Sequence, residues 1–234
     1  MKAILLPIVL FIAFTSSAQK EDLKKLNDKL NTVIHSSDGL HMEYTLVIKG
    51  TGGETDTMDI SLYKKSEQAF KMVMGSAQTL LRKDKMMLKV DHINRVIAMQ
   101  EDSAVTTDDQ TLFEELAALT DSAKTISFVK EKEELIYTLT YTSDFIYKRI
   151  QLKFSSKTGL PSGVYAEFSQ DNDQPYYSLS AVYNLWDLKW KDKKDELELR
   201  CFVEKKNDRY QPIAAYSSYQ VFIPEQGKMN VDFK

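Results

Sequence analysis

The sequence is poor in the residues that carry most site chemistry. It holds one Cys, three His, eight Gly and five Pro in 234 residues. One Cys excludes a disulfide framework and any multi-cysteine zinc or iron–sulfur centre. The three histidines, His35, His41 and His92, fall at a helix end, a strand start and a turn, and no pair has zinc spacing. A basic excess is also missing. Lys and Arg number 31 against 34 Asp and Glu, a net charge of −3, so no cationic stripe is available to neutralise phosphates and no nucleic-acid partner is expected. The few glycines and prolines leave no low-complexity linker. No nucleophile-elbow G-x-S-x-G, no phosphate-cradling G-x-x-x-x-G-K-[ST] and no H-E-x-x-H occurs. Carboxylates are plentiful, and a pair assembled by the fold stays an open alternative. The expectation is a protein without catalysis, cofactor or metal.

Long hydrophobic runs are scarce too. Ala3–Phe14 is the longest, 12 residues interrupted only by Pro7, well short of the roughly 20 that a spanning helix needs. Lys2 precedes it, and Ser16-Ser17-Ala18 follows with small residues at the two cleavage-specificity positions. This is the pattern of a secretory signal peptide cut after Ala18. It predicts a mature chain without a membrane span and a periplasmic address, with an extracellular one as the second choice. No Cys follows the run, so no lipoprotein-type acylation is expected. Cys201 lies in Leu197–Val203, where Leu197, Leu199, Cys201 and Val203 alternate with larger or charged residues. That reads as a strand with a buried, inert thiol.

What is present is patterning. Leu23, Leu26, Leu30, Val33 and Ile34 recur at helical spacing across Glu21–Ser36, an amphipathic helix with one buried stripe. His41–Lys49 then alternates, with Met42, Tyr44, Leu46 and Ile48 on one side. Gly50-Thr51-Gly52-Gly53 turns into a strand carrying Met58, Ile60 and Leu62. Further short strands follow, separated by polar turns: one with Phe70, Met72 and Met74, then Thr79–Arg82, Met86–Asp91 and Val96–Gln100. This predicts an antiparallel meander. A second helix, capped by Asp108 or Asp109, places Leu112, Phe113, Leu116 and Leu119 on one face. Strands resume at Thr125–Val129, Leu135–Tyr141, Tyr147–Phe154, Val164–Phe168, Tyr176–Leu185, Leu197–Val203 and Tyr216–Ile223. The prediction is a mainly β, α+β domain over 19–234, an open or barrel-like antiparallel sheet whose concave side the helices can plug.

The order of elements carries a resemblance. Ala69-Phe70-Lys71-Met72-Val73-Met74 precedes Leu80–Asp91, and Ile150–Ser156 turns through Lys157-Thr158-Gly159-Leu160-Pro161 into the next strand, with a polar turn at Gln170–Gln174 beyond. Leu23–Leu185 resembles the outer-membrane lipoprotein carrier (LolA-like) family in this arrangement. About 50 further residues, opening with Trp186-Asp187-Leu188-Lys189-Trp190, lie outside the resemblance. It implies an apolar half-barrel cavity that holds the acyl chains of a lipid or lipoprotein. An envelope protein is the implied partner for release. The cavity candidates are Tyr44, Leu46, Ile48, Met58, Ile60, Leu62, Phe70, Met72, Met74, Met86 and Leu88, with Leu112, Phe113, Leu116 and Leu119 as the lid helix. Six of the nine methionines (Met58, Met72, Met74, Met86, Met87, Met99) fall in the first meander, and thioethers suit variable apolar ligands.

Alternatives stand beside each feature. The same methionines can fill a core, which leaves a structural or interaction module of the cell envelope as the competing function. A Cu(I) site from Met72, Met74, Met86 and Met87 is a weaker alternative. Asp171-Asn172-Asp173 is either a hairpin turn or part of a calcium loop too short to be complete. Lys191–Asp195 is of mixed sign and reads as a solvated loop.

Overall fold

The computed structural model describes residues 5–36, 39–66, 68–101, 115–169, 175–192, 195–207 and 209–223. Helix α1 runs Leu5–Ser36 and α2 runs Glu115–Ser122. The strands are β1 Leu40–Gly50, β2 Thr55–Ser66, β3 Ala69–Met74, β4 Gln78–Lys83, β5 Met86–Asp91, β6 Val96–Glu101, β7 Thr125–Glu131, β8 Glu134–Thr140, β9 Tyr147–Ser155, β10 Pro161–Phe168, β11 Tyr176–Asp187, β12 Val203–Lys206, β13 Arg209–Pro212 and β14 Gln220–Phe222. Twelve of them pair in the order β14-β6-β5-β4-β3-β2-β1-β11-β10-β9-β8-β7, while β12 and β13 form a separate hairpin. The order has two free ends, so the sheet is open and not closed into a barrel. This is the mainly β, two-helix class expected.

Three expectations need correction. The first helix starts at Leu5 and not near Glu21, because Pro7 falls in the first turn, where its missing N–H costs nothing. The sheet is not wholly antiparallel, since β14 pairs with β6 in parallel through Gln220↔Val96, Val221↔Ile97 and Phe222↔Ala98. Leu197–Val203 is not a strand. Leu199–Cys201 forms a 3₁₀ turn, because the Asp192 carboxylate accepts from the amides of Glu196 (2.7 Å) and Leu197 (3.3 Å) and turns the chain before a strand can start. Cys201 is half-buried. The mixed-charge loop thus includes a backbone cap.

The chain divides into two compact units. One holds α1, Tyr44–Met58 and the described residues from α2 to Asn184. Its core packs Leu23 of α1 and Leu116 and Leu119 of α2 against Ile126, Tyr137, Leu139, Ile150, Leu152, Phe154, Val164 and Ala166. Both helices therefore cover one face of β7–β10. Lys29 Nζ donates to the Thr158 carbonyl at 3.1 Å, docking α1 on the Lys-Thr-Gly-Leu-Pro bend. Gly159 there sits at φ +73°, a conformation that a side chain strains.

The other unit holds Leu40–Glu43, Asp59 to β6, and the described residues from Leu185 onward. Register places Lys71, Leu81, Leu88 and Met99 in one row. The C-terminal segment packs on this row with Leu197, Phe202 and Val203, all nearly inaccessible. The two lysines that share the covered face meet acids of that segment, Lys71 with Glu196 at 3.8 Å and Lys83 with Glu198 at 3.4 Å. The β5–β6 turn is held by Asp91, which accepts from the Ile93 amide (3.0 Å), the Asn94 amide (2.8 Å) and the Asn94 side chain (2.9 Å). Burial opposes its charge, but these donors and nearby Lys89 outweigh burial and hold the carboxyl below the ordinary Asp range. A lowered folded pKa contributes stability that is full above the unfolded value of about 3.9 and is lost as pH falls from there through the lower folded value. Asp91→Ala is expected to lower stability by about 1–3 kcal/mol at neutral pH, and by progressively less below about pH 4. Urea melts of both proteins across that range check this.

Candidate functional site

A pocket lies in the first unit between α2 and the sheet, with a cavity volume of about 50 Å³. Its walls are Leu116 and Leu119 from α2, Ile150, Leu152 and Phe154 from β9, Val164 and Ala166 from β10, and Leu179 from β11, with Tyr147 and Phe168 at one end. The register explains the space. Val164 stands between Leu152 and Ala181, and Ala166 between Ile150 and Leu179. Val164 and Ala166 of β10 thus share the pocket face with the larger Ile150, Leu152 and Phe154 of β9. The lining is almost wholly apolar, so the cavity favours hydrocarbon over water, which needs two to four polar partners.

A β-bulge shapes one end of the pocket. Glu167 pairs with Arg149, but Phe168 pairs with Tyr147, so Lys148 is the extra residue. The slip turns the Tyr147 and Phe168 rings together at 5.2 Å and sends both cations to Glu167, whose side chain is 8% exposed. Lys148 Nζ lies 2.7 Å and Arg149 Nη2 3.1 Å from its two oxygens. Bulges re-aim side chains in this way. The Tyr141 ring stacks on Phe145 at 4.5 Å. Its hydroxyl is buried and has no hydrogen-bond partner among the described residues. Burial and the neighbouring Tyr147 push its pKa far up, so it stays protonated.

The wall formed by α2 is tied to α1 at the surface. Asp121 Oδ1 lies 2.9 Å from Lys20 Nζ and 3.2 Å from Lys24 Nζ, both exposed pairs. Hydrogen bonds from the two lysines hold the Asp121 carboxyl below its ordinary pKa. Such pairs are weak in water, and among the described residues the buried side chains of α2 are those of Leu116, Leu119 and Thr120.

The sequence candidates fall in several places. Leu116 and Leu119 of the expected lid line the pocket, while Leu112 and Phe113 lie outside the described residues, as does Asp171-Asn172-Asp173. Tyr44, Leu46, Ile48 and Met58 belong to the first unit and are half-buried. Tyr44 meets Tyr183, a ring packed on the same core, at 5.4 Å. Ile60, Leu62, Phe70, Met72 and Met74 share one face of the second unit, and Met86 and Leu88 stand on the other, beneath the C-terminal segment. The register therefore does not bring these residues into a single row. The β9 and β10 pocket residues lie in strands legible from sequence. Their signal is a run of small residues, Gly163, Val164 and Ala166, beside bulky neighbours. Among the described residues no group of three or more His, Cys, Asp or Glu could hold a metal ion, and no helix is long and apolar enough to cross a membrane.

No family model and no curated relative matches the chain. Among solved structures it is similar to a DUF1329 family protein from Desulfovibrio piger, at 13% identity over 80% of this chain and 98% of that one, with a TM-score of 0.36. It is similar to a LolA superfamily protein from Nitrosomonas europaea at 10% identity over 73% and 95% of the two chains, TM-score 0.34. A third similarity is to the Pseudomonas aeruginosa MucA/MucB complex, at 15% identity over 76% of this chain and 60% of that one, TM-score 0.46.

Proposed function

We propose that this chain is an exported, non-catalytic binding protein of the bacterial cell envelope that takes one lipid acyl chain into the pocket beneath α2. The carrying observation is the apolar cavity of about 50 Å³ walled by Leu116, Leu119, Ile150, Leu152, Val164 and Ala166. That volume accommodates a short stretch of hydrocarbon, so a longer chain enters by lifting α2 and breaking the Asp121 pairs with Lys20 and Lys24. Each methylene transferred from water stabilises the complex by about 0.8 kcal/mol, which soon exceeds the roughly 0–1 kcal/mol of an exposed pair. The leader Met1–Ala18 and a periplasmic address belong to the same proposal.

Native mass spectrometry of protein purified from the envelope fraction tests this reading. Bound lipid, or uptake of an added fluorescent acyl probe, is expected. Protein that stays lipid-free and takes up no probe overturns it.

The second unit supports a different part. Its C-terminal segment fills the sheet face with Leu197, Phe202 and Val203 and leaves that side packed, which suits a structural or partner-binding role for residues 185–223. A stable envelope partner that is lost on deleting this segment, but kept when the pocket is blocked, would show the two roles to be separate.

The Tyr141 hydroxyl supplies a smaller test. Left unpaired, a buried hydroxyl costs about 1–3 kcal/mol. Tyr141→Phe is therefore expected to raise the melting temperature of the ligand-free protein. If an acyl ester or carboxyl bonds this hydroxyl, the same variant binds the probe several-fold more weakly. Differential scanning calorimetry with and without probe separates the effects.

A further inference from the structure

A histidine ends an apolar row in the second unit. Alternation along β5 puts Leu88 and Val90 on the face that the C-terminal segment covers, both fully buried, and the next step of two residues puts His92 on the same side. Its imidazole is in contact through both nitrogens. Nε2 lies 3.0 Å from the Thr79 hydroxyl of β4, and Nδ1 lies 3.0 Å from the Tyr219 hydroxyl of the C-terminal segment. The Tyr219 ring meets the imidazole edge-on at 6.0 Å, and the Tyr216 ring lies 6.2 Å away. The His92 amide donates to the Ala77 carbonyl at 2.8 Å, which fixes the backbone under the ring. Beyond Tyr219 the chain enters β14, three residues long and at the end of the sheet beside β6, where the Gln220 amide donates to the Arg95 carbonyl at 2.9 Å. So short an end strand opens readily unless a side chain anchors it.

We propose that His92 is a pH-sensitive latch, which holds residues 213–222 against β4–β6 while neutral and releases them when protonated. A neutral imidazole has one donor and one acceptor nitrogen, so one of the two hydroxyls accepts while the other donates. An imidazolium has two donors. Both hydroxyls must then accept, and the one that had donated loses its acceptor. Thr79 is 3% exposed, so on that side a hydroxyl hydrogen is stranded away from water. On the other side Tyr219 must turn its hydrogen out of the contact. Asp91, next in the chain, favours the imidazolium, while β4 presents Thr79 and the C-terminal segment presents the phenols of Tyr216 and Tyr219. Burial outweighs Asp91 and holds the His92 pKa below the ordinary histidine range. A base with a lowered folded pKa contributes stability that is full above the unfolded value of about 6.5 and is lost as pH falls from there through the folded value. Acidification is therefore the releasing signal, in a window above the roughly pH 4 where carboxylates ordinarily titrate.

Amide hydrogen exchange on the whole chain tests the latch, at about pH 7.5 and about pH 5, on either side of the ordinary histidine pKa. Protection factors, corrected for the intrinsic rate at each pH, are expected to fall several-fold at the lower pH for Gln220, Val221 and Phe222, and to hold for Leu81 and Val90 in the sheet beneath. His92→Gln keeps one donor and one acceptor without a titrating group. It is expected to protect β14 equally at both pH values. Tyr219→Phe is the second variant, in case His92→Gln folds poorly. It removes the hydroxyl that joins the segment to the imidazole, and it is expected to lower β14 protection at the higher pH and to shrink the pH effect. Equal β14 protection at the two pH values in the parent chain overturns the latch. So does a parental pH effect retained by both variants, or a loss of protection at Leu81 and Val90 as large as at β14, which would be unfolding of the whole layer. The latch does not rest on the acyl-chain reading, which probe uptake reports separately.

Discussion

Replacing Phe202 by Ala is expected to destabilise the protein by about 3–5 kcal/mol. The ring is 4% exposed and sits in the core that joins the C-terminal segment to β3–β6. It meets the Tyr216 ring at 5.3 Å, and its carbonyl accepts from the Ile213 amide at 3.1 Å. Truncation removes the hydrocarbon transfer energy and leaves a cavity that Leu81, Leu88 and Met99 on the rigid sheet cannot collapse to fill. The loss is a large fraction of the 5–15 kcal/mol that holds a typical domain folded. Phe222, 49% exposed on β14, is the internal comparison, and its truncation is expected to cost within about 0.5 kcal/mol. Urea denaturation of the two variants beside the parent measures the difference. Equal midpoints for Phe202→Ala and the parent would show that residues 185–223 are an appendage and not a core layer.

That layer marks the limit of what alternation could reveal. The strands β1–β11 were legible because short apolar alternations are bounded by turn residues, and the β4–β5 hairpin closes tightly, with Asp84 and Lys85 at φ 51° and 65°. The covered face was not. In Phe70-Lys71-Met72-Val73-Met74 the methionines suggest the inward side, yet the C-terminal segment lies on the side of Lys71 and Lys83. Glu196 and Glu198 arrive 125 and 115 residues after the lysines they pair with, and no local pattern announces a partner so distant. Leu197–Val203 misled for a related reason. A strand and a capped turn share its spacing of apolar residues, and the Asp192 carboxylate decides between them. The pocket has little local signal because a cavity is a deficit: Ala166 and Val164 look like ordinary strand residues until register sets them beside Ile150 and Leu152.

Ala166→Leu therefore supplies the sharpest test of function. Ala166 is 6% exposed and lines the pocket between Ile150 and Leu179. In a close-packed site such an enlargement costs about 1–3 kcal/mol of strain. Here the added carbons have a cavity of about 50 Å³ to occupy, so the melting temperature is expected to hold or rise slightly. The space they take is the space the acyl chain needs, and probe affinity is expected to fall about tenfold or more, equivalent to about 1.4 kcal/mol or above. Leu119→Ala makes the opposite change on the helical wall. It is expected to cost about 2–5 kcal/mol in stability while admitting the probe faster, because α2 then gives up one of the two leucines that wall the pocket. Opposed shifts in stability and uptake from two walls of one cavity are the signature of a ligand seated there. Wild-type affinity in a correctly folded Ala166→Leu protein would place the ligand elsewhere and remove the pocket from the function.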